Sequence, residues 1–280
     1  ALGGAIDGGE YNIAIGNYSL DANTTGDFNL GIGHDALTAS TTGGSNIAHG
    51  YRSLYKNTEG DRNIAVGVAS LFENLTGNFN VALGYHSLLS NTASNNTALG
   101  YMTLTTNSTG TYNVAVGRDA LHYNTTGSNN TAVGYQSLVD NTTGVRNIAI
   151  GNLAYDDADT ENDNLAIGYD ALGGAIDGGE YNVAIGNYTM DANTTGDKNT
   201  ATGYSSLTGN TTGQDNTAYG YASLYTNTTG SFNAAFGYQS LKLSTTGAYN
   251  TAMGMWALAA NTAGNYNTGS GYNALSSTTT

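Results

Sequence analysis

The chain has 280 residues, with 40 Gly, 21 Tyr, no Pro and no Cys, and only 10% of it is charged. Seven basic residues against 21 acidic ones leave a formal charge of -14, which repels phosphate backbones and anionic lipid and so excludes nucleic acid as an expected partner. Without cysteine there is no disulfide framework or thiolate metal site, and no apolar run reaches the length of a membrane span, so no membrane insertion is expected of this segment.

A single array of 17-residue repeats covers residues 1–280. After a partial coil at residues 1–11, a coil begins at each first-position Asn from Asn12 to Asn267, sixteen in all. Their consensus is N-x-A-x-G-Y-x-[AST]-L-x-x-N-T-T-G-x-x. The spacing shortens to 16 between Asn80 and Asn96 and lengthens to 18 between Asn164 and Asn182. A longer period of 170 residues lies above the first: residues 1–30 match residues 171–200 at 25 of 30 positions, as tandem duplication produces.

Within a coil, the segment N-x-A-x-G alternates large and small residues, as in Asn147-Ile148-Ala149-Ile150-Gly151, and this period of two predicts a strand. Gly at the fifth position, from Gly16 to Gly271, predicts a tight turn or a close approach between chain segments. A second short strand is expected around the Ala/Ser-Leu pair, whose Leu at the ninth position is the main apolar anchor. NTTG then closes the coil as a loop, because Asn, Thr and Gly are turn formers. Along the chain, DDADTENDN at 156–164 replaces NTTG, GGAIDGGE occurs at 3–10 and 173–180, and the fourth position drifts to Thr202, Tyr219, Phe236, Met253 and Ser270.

Such coils bury little alone and must stack. The expected fold is therefore all-β, a parallel β-solenoid of about 16 coils, with the first-position asparagines in a hydrogen-bonded ladder and the sixth-position tyrosines stacked. At about 4.8 Å per coil the array predicts a rod roughly 75 to 80 Å long. The apolar second and fourth positions, such as Ile15, Val66, Ile150 and Ile185, form a further face that calls for a partner.

The stretches Asn12-Ile13-Ala14-Ile15-Gly16 and Asn182-Val183-Ala184-Ile185-Gly186 resemble the S-V-A-I-G repeats of trimeric autotransporter adhesin heads and related bacteriophage tail-fibre shafts. The resemblance implies a left-handed β-roll, a homotrimer, and exposure on a cell or virion surface. The NTTG loop makes each repeat longer than the usual adhesin-head form.

No Ser-His-Asp set, paired catalytic carboxylates or phosphate-binding loop can be assembled, so no catalytic residue, no cofactor and no enzymatic activity are expected. The four histidines, His34, His49, His86 and His122, occupy different repeat positions and lack metal-ligand spacing. Asp156, Asp157, Asp159, Glu161 and Asp163 are the one calcium candidate, because clustered hard oxygens can hold that ion. The N-x-[ST] motif makes Asn23, Asn124, Asn141, Asn193, Asn210 and Asn227 candidates for N-glycosylation in NTTG, and it occurs also at Asn17, Asn74, Asn95, Asn107, Asn129 and Asn187. The expected function is a structural shaft acting as a rigid extracellular spacer. The alternatives are a self-polymerising, glycosylated filament, and an adhesin module that binds surface glycans on exposed Tyr rings and Trp256.

Overall fold

The computed structural model describes residues 8–279; residues 1–7, with most of the first GGAIDGGE segment, lie outside the described part. The chain is an all-β parallel β-solenoid of about 17 residues per turn, with no helix among the described residues. It forms two compact units, residues 1–143 and 144–280. In the first unit, eight three-residue strands from β1 (Ile13–Ile15) to β8 (Thr131–Val133) pair in chain order. In the second, β9 (Ile148–Ile150) to β16 (Thr268–Ser270) do the same.

Register is strict: Ile13 sits on Leu30, Ala14 on Gly31 and Ile15 on Ile32. The 16-residue coil keeps it, with Val81, Ala82 and Leu83 on Thr97, Ala98 and Leu99. The 18-residue coil keeps it too, so the odd residue is absorbed in the loop. Alternation holds as the sequence predicts: third-position alanines such as Ala48, Ala115 and Ala149 are wholly buried, and the residues on either side face outward.

The second strand does not form. The seventh, ninth and last residues of each complete coil adopt left-handed backbone conformation, as in Tyr18 (φ 56°), Leu20 (φ 51°) and Phe28 (φ 57°). A left-handed Leu cannot continue a strand, and each such residue costs about 1–2 kcal/mol of backbone strain. Hydrogen bonds to adjacent coils offset that strain. The N–H of Leu20 donates to the carbonyl of Ala36 at 3.0 Å, that of Asp35 to Asn17 at 3.0 Å, and that of Phe28 to Glu10 at 3.0 Å. Pairing between coils thus continues through the turns, well beyond the short strands.

Glycine at the fifth position is required twice over. Gly33 has φ +132°, and a Cβ there would lie 2.6 Å from the carbonyl oxygen of Gly50 in the next coil. No side chain fits between the stacked turns.

The core is half apolar and half amide. Away from the terminal coils, Leu20, Leu37, Leu54, Leu121 and their equivalents are fully buried beside the alanines, and so are the first-position asparagines and those of NTTG. At the first position, Oδ1 of Asn46 accepts the backbone N–H of Asn63 at 2.9 Å, while Nδ2 of Asn46 donates to the carbonyl of Gly60 at 2.7 Å. Direct amide contacts run alongside, as from Asn80 Nδ2 to Asn63 Oδ1 at 3.1 Å. Replacing Leu121 by Ala is expected to destabilise its unit by about 2–5 kcal/mol, whereas Gln136→Ala, at a half-exposed seventh position, changes stability by about 0.5 kcal/mol or less. Thermal unfolding of the two variants checks this, and equal midpoints would contradict the core assignment.

Candidate functional site

Three surfaces line up along each unit: the outward strand face, the NTTG loops and the columns of aromatic rings. On the strand face, sixteen strands offer two outward positions each, and none of these 32 carries Asp, Glu, Lys or Arg. With 10% of the chain charged, about three would fall there by chance, so the face is uncharged by pattern. It is also open: Ile13 and Ile15 are 55% and 57% exposed, and Ile64, Leu83 and Ile148 are exposed as well.

The NTTG loops differ from their sequence reading. Asn23, Asn124, Asn141, Asn193, Asn210 and Asn227 are at most 1% exposed. Their amides make a second ladder inside the coil, in which Asn124 Nδ2 donates to Asn107 Oδ1 at 2.7 Å, Asn210 to Asn193 at 2.8 Å and Asn227 to Asn210 at 2.8 Å. The same Nδ2 closes its own turn, as from Asn124 to the Gly127 carbonyl at 3.0 Å. A glycan on such a nitrogen would remove these bonds and place a sugar in the core, so modification at these six positions is incompatible with the fold. Asn17, Asn129 and Asn187 are the sequon asparagines that stand exposed.

The acidic segment is likewise committed elsewhere. Glu161 is buried, and its carboxylate accepts the N–H groups of Asp159, Thr160 and Gly178, each at 3.1 Å, so it caps the turn that NTTG makes in other coils. Asp163 takes a bidentate contact from Arg146 at 2.6 and 2.7 Å, which holds its carboxyl below the usual range. Among the described residues no group of three His, Cys, Asp or Glu side chains could hold a metal ion. The histidines stay apart: His49 lies on the strand face, His34 beside Asp35 at 3.1 Å, His86 against Tyr85, and His122 Nδ1 at the Met102 carbonyl, 2.9 Å away.

The same coil holds the one large core exchange. Tyr155 replaces the ninth-position Leu and Ala158 the NTTG Asn. Tyr155 is fully buried and its hydroxyl accepts Asn164 Nδ2 at 2.6 Å. Burial and the nearby Glu161 push its phenol far above its ordinary pKa, so it stays neutral.

The sequence matches no known protein family and no curated protein.

The aromatic columns are the third surface. In the second unit, Tyr204 stacks on Tyr221 at 5.6 Å and 7°, and Tyr221 on Tyr238 at 5.2 Å and 10°. A parallel column at the seventeenth position joins Phe232, Tyr249 and Tyr266 at 4.9 and 5.0 Å. The sequence reading anticipated the first column and missed the second, although aromatic residues recur there at Tyr11, Phe28, Phe79 and Tyr112.

Two outcomes follow. In a glycosylating host the folded protein carries no glycan at Asn124 or Asn210, and any glycan is confined to exposed sequons such as Asn17, Asn129 and Asn187; peptide mass spectrometry reads this directly. The second concerns Asp191, whose carboxyl burial pushes upward, with Asp170 adding to the shift. Its folded state holds the proton to higher pH than the unfolded chain, so stability is lost as pH rises from the unfolded to the folded pKa. Asp191→Asn is expected to raise the melting temperature at about pH 7 and to leave it unchanged at about pH 3, below the unfolded carboxylate value. Calorimetry at both pH values tests the sign.

Proposed function

We propose that this chain is a length of shaft from an extracellular fibre: a spacer without enzymatic activity, in which three copies associate through their outward strand faces. The observation that carries this reading is the division of labour within each coil. Residues that repeat (Asn, Ala, Gly, Leu) make the contacts from coil to coil, and residues that vary lie outside. An element whose output is reach needs that arrangement and no more.

The uncharged strand face supports association: in the first unit it is largely Ile, Val and Leu, and such a face is unstable in water without cover. The resemblance to trimeric autotransporter adhesin heads and phage tail-fibre shafts supports three copies and a place outside the cell. Glycan binding along the tyrosines fits less well: rings stacked at 5.2 to 5.6 Å cover one another's faces and offer sugars mainly their edges.

Length and mass together test the proposal. Deleting residues 46–79, two whole repeats within the first unit, is expected to leave a folded particle shorter by about 9–10 Å. Deleting nine residues instead would set the ninth-position Leu against a first-position Asn and a Thr against the fifth-position Gly, and abolish folding. Electron micrographs decide between these outcomes, and an unfolded 34-residue deletion or an unchanged length refutes the spacer. Light scattering of the intact chain should return three times 28.7 kDa; one chain refutes the trimer, and unlimited growth favours the self-polymerising filament.

A further inference from the structure

Residues 216–280 hold a single charged side chain. All 21 acidic residues of the chain lie at or before Asp215, no Arg or His follows it, and Lys242 is the one Lys. The ion pairs of the described residues engage Arg52, Lys56, Arg118 and Arg146, and Lys242 takes part in none of them. Its backbone is nevertheless fixed, because its carbonyl accepts the N–H of Thr226 at 3.1 Å and the Thr226 hydroxyl at 3.0 Å. A half-buried ammonium held in one place, with no carboxylate in its stretch of chain, favours an anion from solution.

Lys242 lines an open notch of about 340 Å³ in the second unit, with Tyr204, Ser205, Tyr221, Tyr225 and Gln239 around it. That volume lies at the lower end of the range of small-ligand pockets, about 300–1,000 Å³. Tyr225 stands outside both aromatic columns. Its tenth position carries a stacked pair in the first unit, Tyr55 on Phe72 at 5.1 Å and 14°, but the coils on either side of Tyr225 place Thr208 and Lys242 there. Neither neighbour supplies a ring, so Tyr225 has no stacking partner among the described residues. Tyr204 and Tyr221 differ: each is covered by rings of its own column, and they offer a ligand their edges and hydroxyls. Gln239 Oε1 accepts the Trp256 indole N–H at 2.9 Å, which orients the amide and leaves Nε2 as a donor.

We infer that this notch binds a sugar residue that carries a carboxylate, such as a uronic or sialic acid. The carboxylate meets the Lys242 ammonium and Gln239 Nε2, the C–H face of the sugar ring packs on Tyr225, and its hydroxyls meet those of Ser205, Tyr204 and Tyr221. A planar aromatic acid fits less well, since it would find one uncovered ring and a rim of hydroxyls. The lining residues occupy the sixth, seventh and tenth positions of their coils, whereas the outward strand positions are the second and fourth. The site is therefore separate from the proposed surface of association and does not depend on the spacer reading.

Ligand-observed NMR on the intact chain tests this, with methyl glucuronide and the methyl glycoside of sialic acid as probes and methyl glucoside and acetate as controls. At least one acidic sugar should bind, and the glucoside, which lacks the charge, should bind about tenfold more weakly, the worth of a hydrogen bond to a charged group. Lys242→Gln should bring the acidic sugar down to the level of the glucoside, Lys242→Arg should retain binding, and Tyr225→Ala should weaken both sugars. The two Lys242 variants should melt with the wild type, because the ammonium joins no ion pair among the described residues. The proposal is overturned if neither acidic sugar binds, if Lys242→Gln binds it within twofold of wild type, or if acetate binds as tightly as the acidic sugar.

Discussion

Backbone hydrogen bonding between coils, in one fixed register, is the constraint from which the rest of this structure follows. Each coil is too thin to satisfy its own N–H and C=O groups, and its three-residue strands supply only part of what is needed. The remainder comes from turns whose residues are bent into left-handed conformation so that their N–H groups point along the stack. Strain and hydrogen bond come together at Leu20 and at Phe28, and neither makes sense without the neighbouring coil. The same closeness explains Gly33: adjacent turns approach until only hydrogen fits between them.

A core this narrow cannot be purely apolar. The amides of Asn46 and Asn124 sit inside with the leucines, and because Asn46 Oδ1 accepts from Asn63 and Asn124 Nδ2 donates to Asn107, each one coil away, they hold the register that an oily core alone would let slip. Departures from the pattern show the rule. The shortened loop turns the Asn91 amide to the Ala93 carbonyl at 2.8 Å, and Asn74 Oδ1 loses its place in the ladder. Tyr155 and Ala158 make the opposite case: one residue grows as the other shrinks, and a hydroxyl stands in for an amide.

Much of this was legible in the sequence, because sixteen internal copies act as their own comparison. The period, the strand, the glycine turn, and the Ala and Leu positions could be read from what the copies hold constant. The second strand was misread because a Leu in left-handed conformation has no local signature; its φ is set by bonds to Ala36, remote in sequence. The burial of Asn124 was misread for a different reason. Asn, Thr and Gly do form a turn there, and turns usually face water. Its near-constancy against the variable residues beside it was the available sign that the side chain points inward. The acidic segment looked like a ligand cluster because sequence reports adjacency, whereas the fold sends Glu161 inward and Asp163 to Arg146.

The NTTG amides all point the same way: Asn210 donates to Asn193 and Asn227 to Asn210, each toward the preceding coil. Aligned dipoles polarise one another, so a rung is strengthened by the rungs beyond it. The column is interrupted where serine replaces asparagine, at Ser40 and Ser244, whose short hydroxyls leave Asn23 Oδ1 and Asn227 Oδ1 without partners among the described residues. Under a pull along the column, every coil-to-coil junction carries the same force, and the junction with a missing rung yields first. The junctions at Ser40 and Ser244, like the one at Asn91, are therefore expected to be where the coils of each unit part first under load.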